Sequence, residues 1–180
     1  MKTERKLAIT LKMMMAEKPL DDISVMAICK RCKVNRQTFY YHFHDIYDLL
    51  TSLFLEERID GADTVKSYYE MIKCIYEYYD KNRKFVDATI SSAGKDLFLE
   101  FIYNVCYQST LRIMDQYEVS KNVALNYKKN VARFYASAFS NSIVYYLQNY
   151  KERTLEGLLN CFNFVEDHNL LSIMQKLANK

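Results

Sequence analysis

Four polar side chains, Gln37, Thr38, Tyr41 and His42, carry the most distinctive chemistry of this sequence. Their spacing puts them on one side of a helix. Each can hydrogen-bond and none is acidic, so the face suits phosphate oxygens and base edges. Arg36 precedes them and Lys33 lies in the turn before, adding two cations to the same candidate surface. Elsewhere we find no nucleophile–base pair, no phosphate loop and no metal-ligand set. The expectation is therefore binding without catalysis: no catalytic residue, no enzyme, no cofactor and no metal.

Short elements must present that face. Ile23 precedes Ser24, a good N-cap, and Ile28 follows five residues after Ile23, the spacing of a hydrophobic staple. The device repeats with Val34, Asn35 and Phe39. Asp45 can cap a further helix, with Asp48 in its first turn where the helix dipole favours negative charge. Two capped helices with a three- to four-residue turn predict a helix-turn-helix, whose second helix, about Arg36 to Phe43, can enter a major groove. Phe39, Tyr40 and Phe43 form its expected packing stripe.

The run VNRQTFYYHFHDIYDLL resembles the DNA-binding signature of TetR/AcrR-type repressors. The likeness covers roughly residues 3–55; beyond that it is one of length and all-helical pattern. It implies a dimeric repressor whose second domain binds a small effector. It carries Gln37, Thr38, Tyr41 and His42 over as DNA-facing residues and Phe39 and Phe43 as core. Two positions depart from the pattern. Lys33 stands where the family usually has Gly, at a turn suited to positive φ. Ile46 stands where it usually has a Lys that touches the DNA backbone.

Composition narrows the fold class. In 180 residues there are 3 Gly and 1 Pro, and 50% of residues are hydrophobic. Long runs without turn residues argue for helices throughout, with ample material for a core. No apolar run reaches the roughly 18 residues of a membrane span, and the charged, amphipathic start lacks a signal-peptide core. The net charge of +3 lies entirely in residues 1–50, which hold nine basic and six acidic residues; the remainder holds sixteen of each. That is a modest basic footprint of a DNA binder. An odd count of 5 Cys in apolar helical positions suggests a reducing cytoplasm. Cys29 and Cys32 have the spacing of half a zinc site or a redox pair, but no second pair comes after them, and both fall on the side of Val25 and Ile28, which favours core packing. His42 and His44 are too close together to make a metal pair, and His168 stands alone.

We therefore expect an all-α protein of about nine helices. A three-helix helix-turn-helix domain would occupy residues 1–50, and a helical effector-binding and dimerisation domain residues 51–180. Helix 1 should run from about Thr3 to Glu17 and stop before Pro19. A fourth should start at Asp45 and end before Asp60-Gly61. The others are expected at about Asp63–Tyr79, Asn82–Ile90, Lys95–Tyr117, Lys121–Tyr150 with Ser120 as cap, and Thr154–Glu166, then a short Leu170–Leu177 piece. The last two long helices offer apolar faces for a two-fold four-helix interface, with Phe139, Tyr146, Leu158 and Phe162 as candidate contacts. Sixteen Tyr and eight Met suit an adaptable pocket for a small apolar or aromatic effector, with Tyr103, Tyr107, Met114 and Phe134 as candidate lining. The expected partners are a palindromic double-stranded operator, that effector and a second copy of the chain, with no membrane. The alternative is a co-regulator of the same fold that binds another protein and has little DNA affinity of its own, a reading Ile46 supports.

Overall fold

The computed structural model describes residues 3–165 and 167–179. Ten α-helices, two short 3-10 turns and no strand occur among them. No helix there is long and apolar enough to cross a membrane. The chain forms two compact units that interleave in sequence.

The first unit holds the chain up to Arg58 together with Lys81–Phe101. In α1 (Thr3–Met15), Leu7, Leu11, Met14 and Met15 are buried, a single inward stripe at helical spacing. The helix stops short of Lys18-Pro19, and a 3-10 turn, Leu20–Asp22, comes after it. α2 (Val25–Cys32), α3 (Arg36–His42) and α4 (Ile46–Glu56) come next, then α6 (Arg83–Ile90) and the start of α7 (Lys95–Asp115). α1 packs on α2, α4 and α6. The core is Leu7, Leu11, Ile28, Phe39, Leu49, Leu50, Phe54, Phe85 and Phe98. Phe54 of α4 meets Phe85, Phe98 and Phe101 at ring distances of 5.7, 6.0 and 5.3 Å. Lys12 reaches across this unit to Glu57 Oε1 at 2.7 Å, and its ammonium stands 5.2 Å from the centre of the Phe85 ring.

The second unit holds Ile59–Asp80 and the chain from Ile102 onward. It contains α5 (Tyr68–Lys81), the rest of α7, a 3-10 turn at Glu118–Asn122, α8 (Leu125–Asn149), α9 (Leu155–Asn160) and α10 (Asp167–Ala178). Its aromatic centre joins α5, α8 and the segment after α9. Tyr68 meets Phe139 at 4.7 Å and stacks on Tyr135 at 5.4 Å, and Phe139 meets Phe162 at 5.0 Å. Burial in this cluster pushes the Tyr135 hydroxyl pKa up. The Tyr146 hydroxyl ties down the turn between α8 and α9, lying 3.1 and 3.2 Å from the Glu152 and Thr154 carbonyls and accepting from the Thr154 N–H at 3.1 Å. A Cβ at Gly157 would collide with that hydroxyl, so any larger residue there must displace the Tyr146 side chain from this turn.

Several boundaries differ from the sequence expectation. α5 begins at Tyr68 because residues 59–67 are held as turns around Gly61, whose φ is 79°. Ser120 caps no long helix; it is buried in the 3-10 turn, and α8 starts at Leu125. Thr154 does cap α9, accepting from the Gly157 N–H at 3.0 Å, but α9 ends at Asn160, with turns at 161–164. Glu166, the expected end of that helix, lies outside the described residues.

Candidate nucleic-acid interface

Three side-chain caps build the site. Ser24 Oγ accepts from the Ala27 N–H at 3.2 Å, and Ile23 and Ile28 are both buried beneath it. Asn35 Oδ1 accepts from the Thr38 N–H at 2.7 Å and from the Thr38 hydroxyl at 2.8 Å. Asp45 Oδ1 accepts from the Asp48 N–H at 2.8 Å, while Asp48 reaches back to the His44 N–H at 2.9 Å. Each cap satisfies donors that a helix N-terminus leaves open.

The turn between α2 and α3 is a Schellman stop. Lys33 N–H returns to Lys30 O at 3.2 Å and Val34 N–H to Cys29 O at 3.0 Å. Lys33 holds the left-handed conformation, φ 55° and ψ 43°, and is the one described non-glycine residue with positive φ. Lysine therefore performs a glycine's task here, at a backbone cost of about 1–2 kcal/mol. Its side chain is exposed.

On α3 the two faces separate, with one correction. Phe39 and Phe43 are buried, as the stripe requires. Tyr40 is not part of it: it is 46% exposed. A helix of seven residues seats one narrow face, and Tyr40 stands about 100° round from Phe39. It pairs instead with Arg36 at i, i+4. Arg36 Nη2 donates to the Tyr40 hydroxyl at 3.2 Å, and the guanidinium stands 5.3 Å from the ring centre. That hydrogen bond is the main cause of a raised Arg36 pKa.

The other candidates differ in how far they are open. Gln37 is exposed, and Tyr41 is 84% exposed, the most open tyrosine of the described residues. Thr38 is half-buried, with its hydroxyl engaged by Asn35. His42 is half-buried; its Nδ1 lies 3.1 Å from Glu4 Oε1 on α1, and its ring meets Tyr41 edge-on at 5.0 Å. Ile46 is half-buried in the first turn of α4. Arg31, on α2, is held by both Glu17 oxygens at 2.6 and 2.7 Å, which pulls the Glu17 carboxyl pKa down. Cys29 and Cys32 are buried, with Cys32 Sγ 3.0 Å from Thr10 Oγ1. Burial is the first cause of the raised Cys29 pKa.

In the second unit, Tyr103 and Tyr107 are half-buried and stacked at 6.2 Å, and Met114 is fully buried. Phe134 is 71% exposed, so it lines no interior pocket in this chain. Phe139, Tyr146, Leu158 and Phe162 are all buried within the single chain. They fill its own core and offer no open face to a second copy. Sequence reasoning does not tell the inward side of α8 from the outward one, because both are rich in aromatic residues. The open side carries Tyr127, Phe134, Ala138 and Tyr145, spaced by 7, 4 and 7 residues. That near-heptad register is present in the sequence and is the signal that distinguishes it.

Two family models match the chain. One, described as bacterial regulatory proteins of the tetR family, matches residues 11–53. The other, described as a transcriptional regulator C-terminal region, matches residues 66–167. No curated protein matches. A solved structure titled "Dihydroxyacetone kinase operon activator DhaS" is similar over 97% of each chain, with a TM-score of 0.63 and 21% identity, a likeness of fold alone. Both halves of the chain thus carry the family's marks around a helix-turn-helix with side-chain caps on both of its helices, and the protein is a member of the TetR family of transcriptional regulators.

Proposed function

We propose that this TetR-family chain is a ligand-responsive repressor that acts in the cytoplasm and binds a palindromic operator as a homodimer. The observation that carries this is the open face of α3, where Gln37 and Tyr41 stand clear of the core that seats Phe39 and Phe43. Lys33, Arg36, Thr38 and His42 complete the DNA-facing set. Gln37 is the base reader, since an amide can pair bidentately with adenine, and Tyr41 is a phosphate contact.

Two copies would set two such helices about 34–36 Å apart, one turn of duplex. The open stripe of α8, which carries Phe134 and Tyr145, is the surface we assign to the second copy. Large apolar side chains left exposed along one helix face mark an association surface. Residues 1–50 then act as reading head and 51–180 as effector and dimer body. A small apolar or aromatic effector, held near Tyr103, Tyr107 and Met114, would favour a body state in which α4 moves and the spacing is wrong. No catalytic step is part of this reading.

Ile46 favours a second reading, a co-regulator that pairs with another protein, because a backbone-contacting cation is missing there. A gel shift against the DNA upstream of the chain's own gene separates the two. Retardation by a dimer, with competition from the same sequence only, supports the first; no shift at low salt supports the second. The solved relative's title names an activator. A reporter behind the shifted DNA gives the sign: its output rises on deleting the chain if the protein represses and falls if it activates.

A further inference from the structure

The segment between α4 and α5 is a fixed element. Within residues 59–67, Ile59 and Val65 are buried. Ala62 N–H returns to Ile59 O at 3.2 Å and Thr64 N–H to Gly61 O at 3.0 Å. Its far end is closed by Ser67 and Glu70: Ser67 Oγ accepts from the Glu70 N–H at 3.1 Å, and Glu70 Oε2 accepts from the Lys66 N–H at 2.6 Å.

Carbonyls of this segment are then taken by one row of α7. Arg112 Nη1 donates to Ala62 O at 2.9 Å, and the Ser109 hydroxyl donates to the same oxygen at 3.4 Å. Gln116 Nε2 donates to Lys66 O at 3.0 Å. Positions 109, 112 and 116 have the i, i+3, i+7 spacing of one helix face. A carbonyl has two lone pairs, and Ala62 O has a donor for each.

The beginning of α7 grips α4 by other means. Phe98 and Phe101 pack on Phe54, and a Cβ at Gly94, just before the helix, would lie 2.8 Å from Leu50 Cδ2. One continuous helix of 21 residues therefore holds both α4 and the segment by which the chain leaves it, the first by apolar packing and the second by charged and neutral hydrogen bonds.

We propose that Arg112 is a positioning residue for operator reading: through the Ala62 carbonyl it fixes the exit from α4, so that the setting of α4 follows α7. The inference rests on the DNA-binding reading above. A guanidinium donor suits the task, because its bond to a carbonyl is charge-assisted and its planar fork is held in one orientation.

The test uses the full chain, its upstream DNA, and Arg112→Met, which keeps the stem and removes the donors. Amide exchange at Ala62 and Thr64 should quicken by about tenfold or more, the loss expected for one charge-assisted bond. Operator affinity should fall by about tenfold, inside the 5- to 150-fold range of ordinary couplings. Exchange on α3 and the oligomeric state should not change, and Arg112→Lys should recover part of the loss. Faster exchange with unchanged operator affinity would reduce Arg112 to a local staple and overturn the proposal, as would unchanged exchange. If Arg112→Met does not fold, Gln116→Met applies the same two readouts to the outer end of the row. A wild-type chain that shifts no DNA refutes the functional reading instead, and is seen before any variant is made.

Discussion

Arg36 and Tyr40, one helical turn apart on α3, hold each other: the guanidinium donates to the phenol oxygen at 3.2 Å and lies 5.3 Å from the ring centre. The pair is exposed and so adds little to stability. It does restrict a flexible cation beside the open face of the helix, which leaves Gln37 and Tyr41 as the least committed groups there. Gln37→Ala and Tyr41→Ala should each weaken operator binding by about 1–3 kcal/mol, roughly 5- to 150-fold, and leave the melting temperature nearly unchanged. Gln37→Ala should also alter base preference in a competition series, whereas Tyr41→Ala should weaken all sequences alike. Equal affinity of both variants and wild type would remove this face from the interface.

Ile46 stands in the first turn of α4, next to the Asp45 cap. Ile46→Lys should tighten operator binding and raise the magnitude of the log–log salt slope by about 0.9 for the one phosphate gained. A titration from low to moderate salt measures both. A slope equal to that of wild type would show that position 46 does not face the duplex.

Lys33→Gly should stabilise the fold. The left-handed conformation at φ 55° costs a lysine about 1–2 kcal/mol, and glycine gives back part of that in chain entropy. The net gain should be about 0.5–1 kcal/mol, read as a higher urea midpoint at unchanged slope. If the exposed Lys33 ammonium also touches phosphate, the same variant binds DNA more weakly while being more stable. A lower midpoint would mean that the lysine side chain makes a compensating contact.

The two sides of α8 give a paired test of the dimer. Phe134→Glu and Tyr145→Glu alter exposed positions, so the fold should survive while a dimer dissociates on a sizing column with light scattering. Phe139→Glu alters a buried one and should unfold the chain, because an unpaired charge would be sealed in the core. A Phe134→Glu protein that stays dimeric would move the interface off this stripe.

Much of the first unit is legible in the sequence because its signals are local. Ser24, Asn35 and Asp45 each announce a helix within three residues, and each does accept the expected backbone N–H. The stop before Pro19 and the break at Gly61 are equally local. Which of two aromatic faces turns inward is not a local matter. Tyr40 and Phe43 look alike in a sequence, yet one is open and the other sealed. The same ambiguity holds for Phe134 and Phe139 on α8. Ser120 has the side chain of a cap, but a cap needs an α-helix directly after it, and the chain there tightens into a 3-10 turn before α8 begins. The grip of Arg112 on Ala62 spans 50 residues and depends on packing that no local pattern encodes.

α3 has seven residues, under two turns. In water a helix that short does not persist, since nucleation costs more than so few bonds return. Its polar face is therefore borrowed order, present only while Phe39 and Phe43 are seated. Anything that unseats those rings, whether heat, a protease or a substitution at Leu7 or Ile28 in the same core, dissolves the lettering along with the page. Sequence discrimination should then vanish with the cooperative melting of the first unit instead of eroding ahead of it.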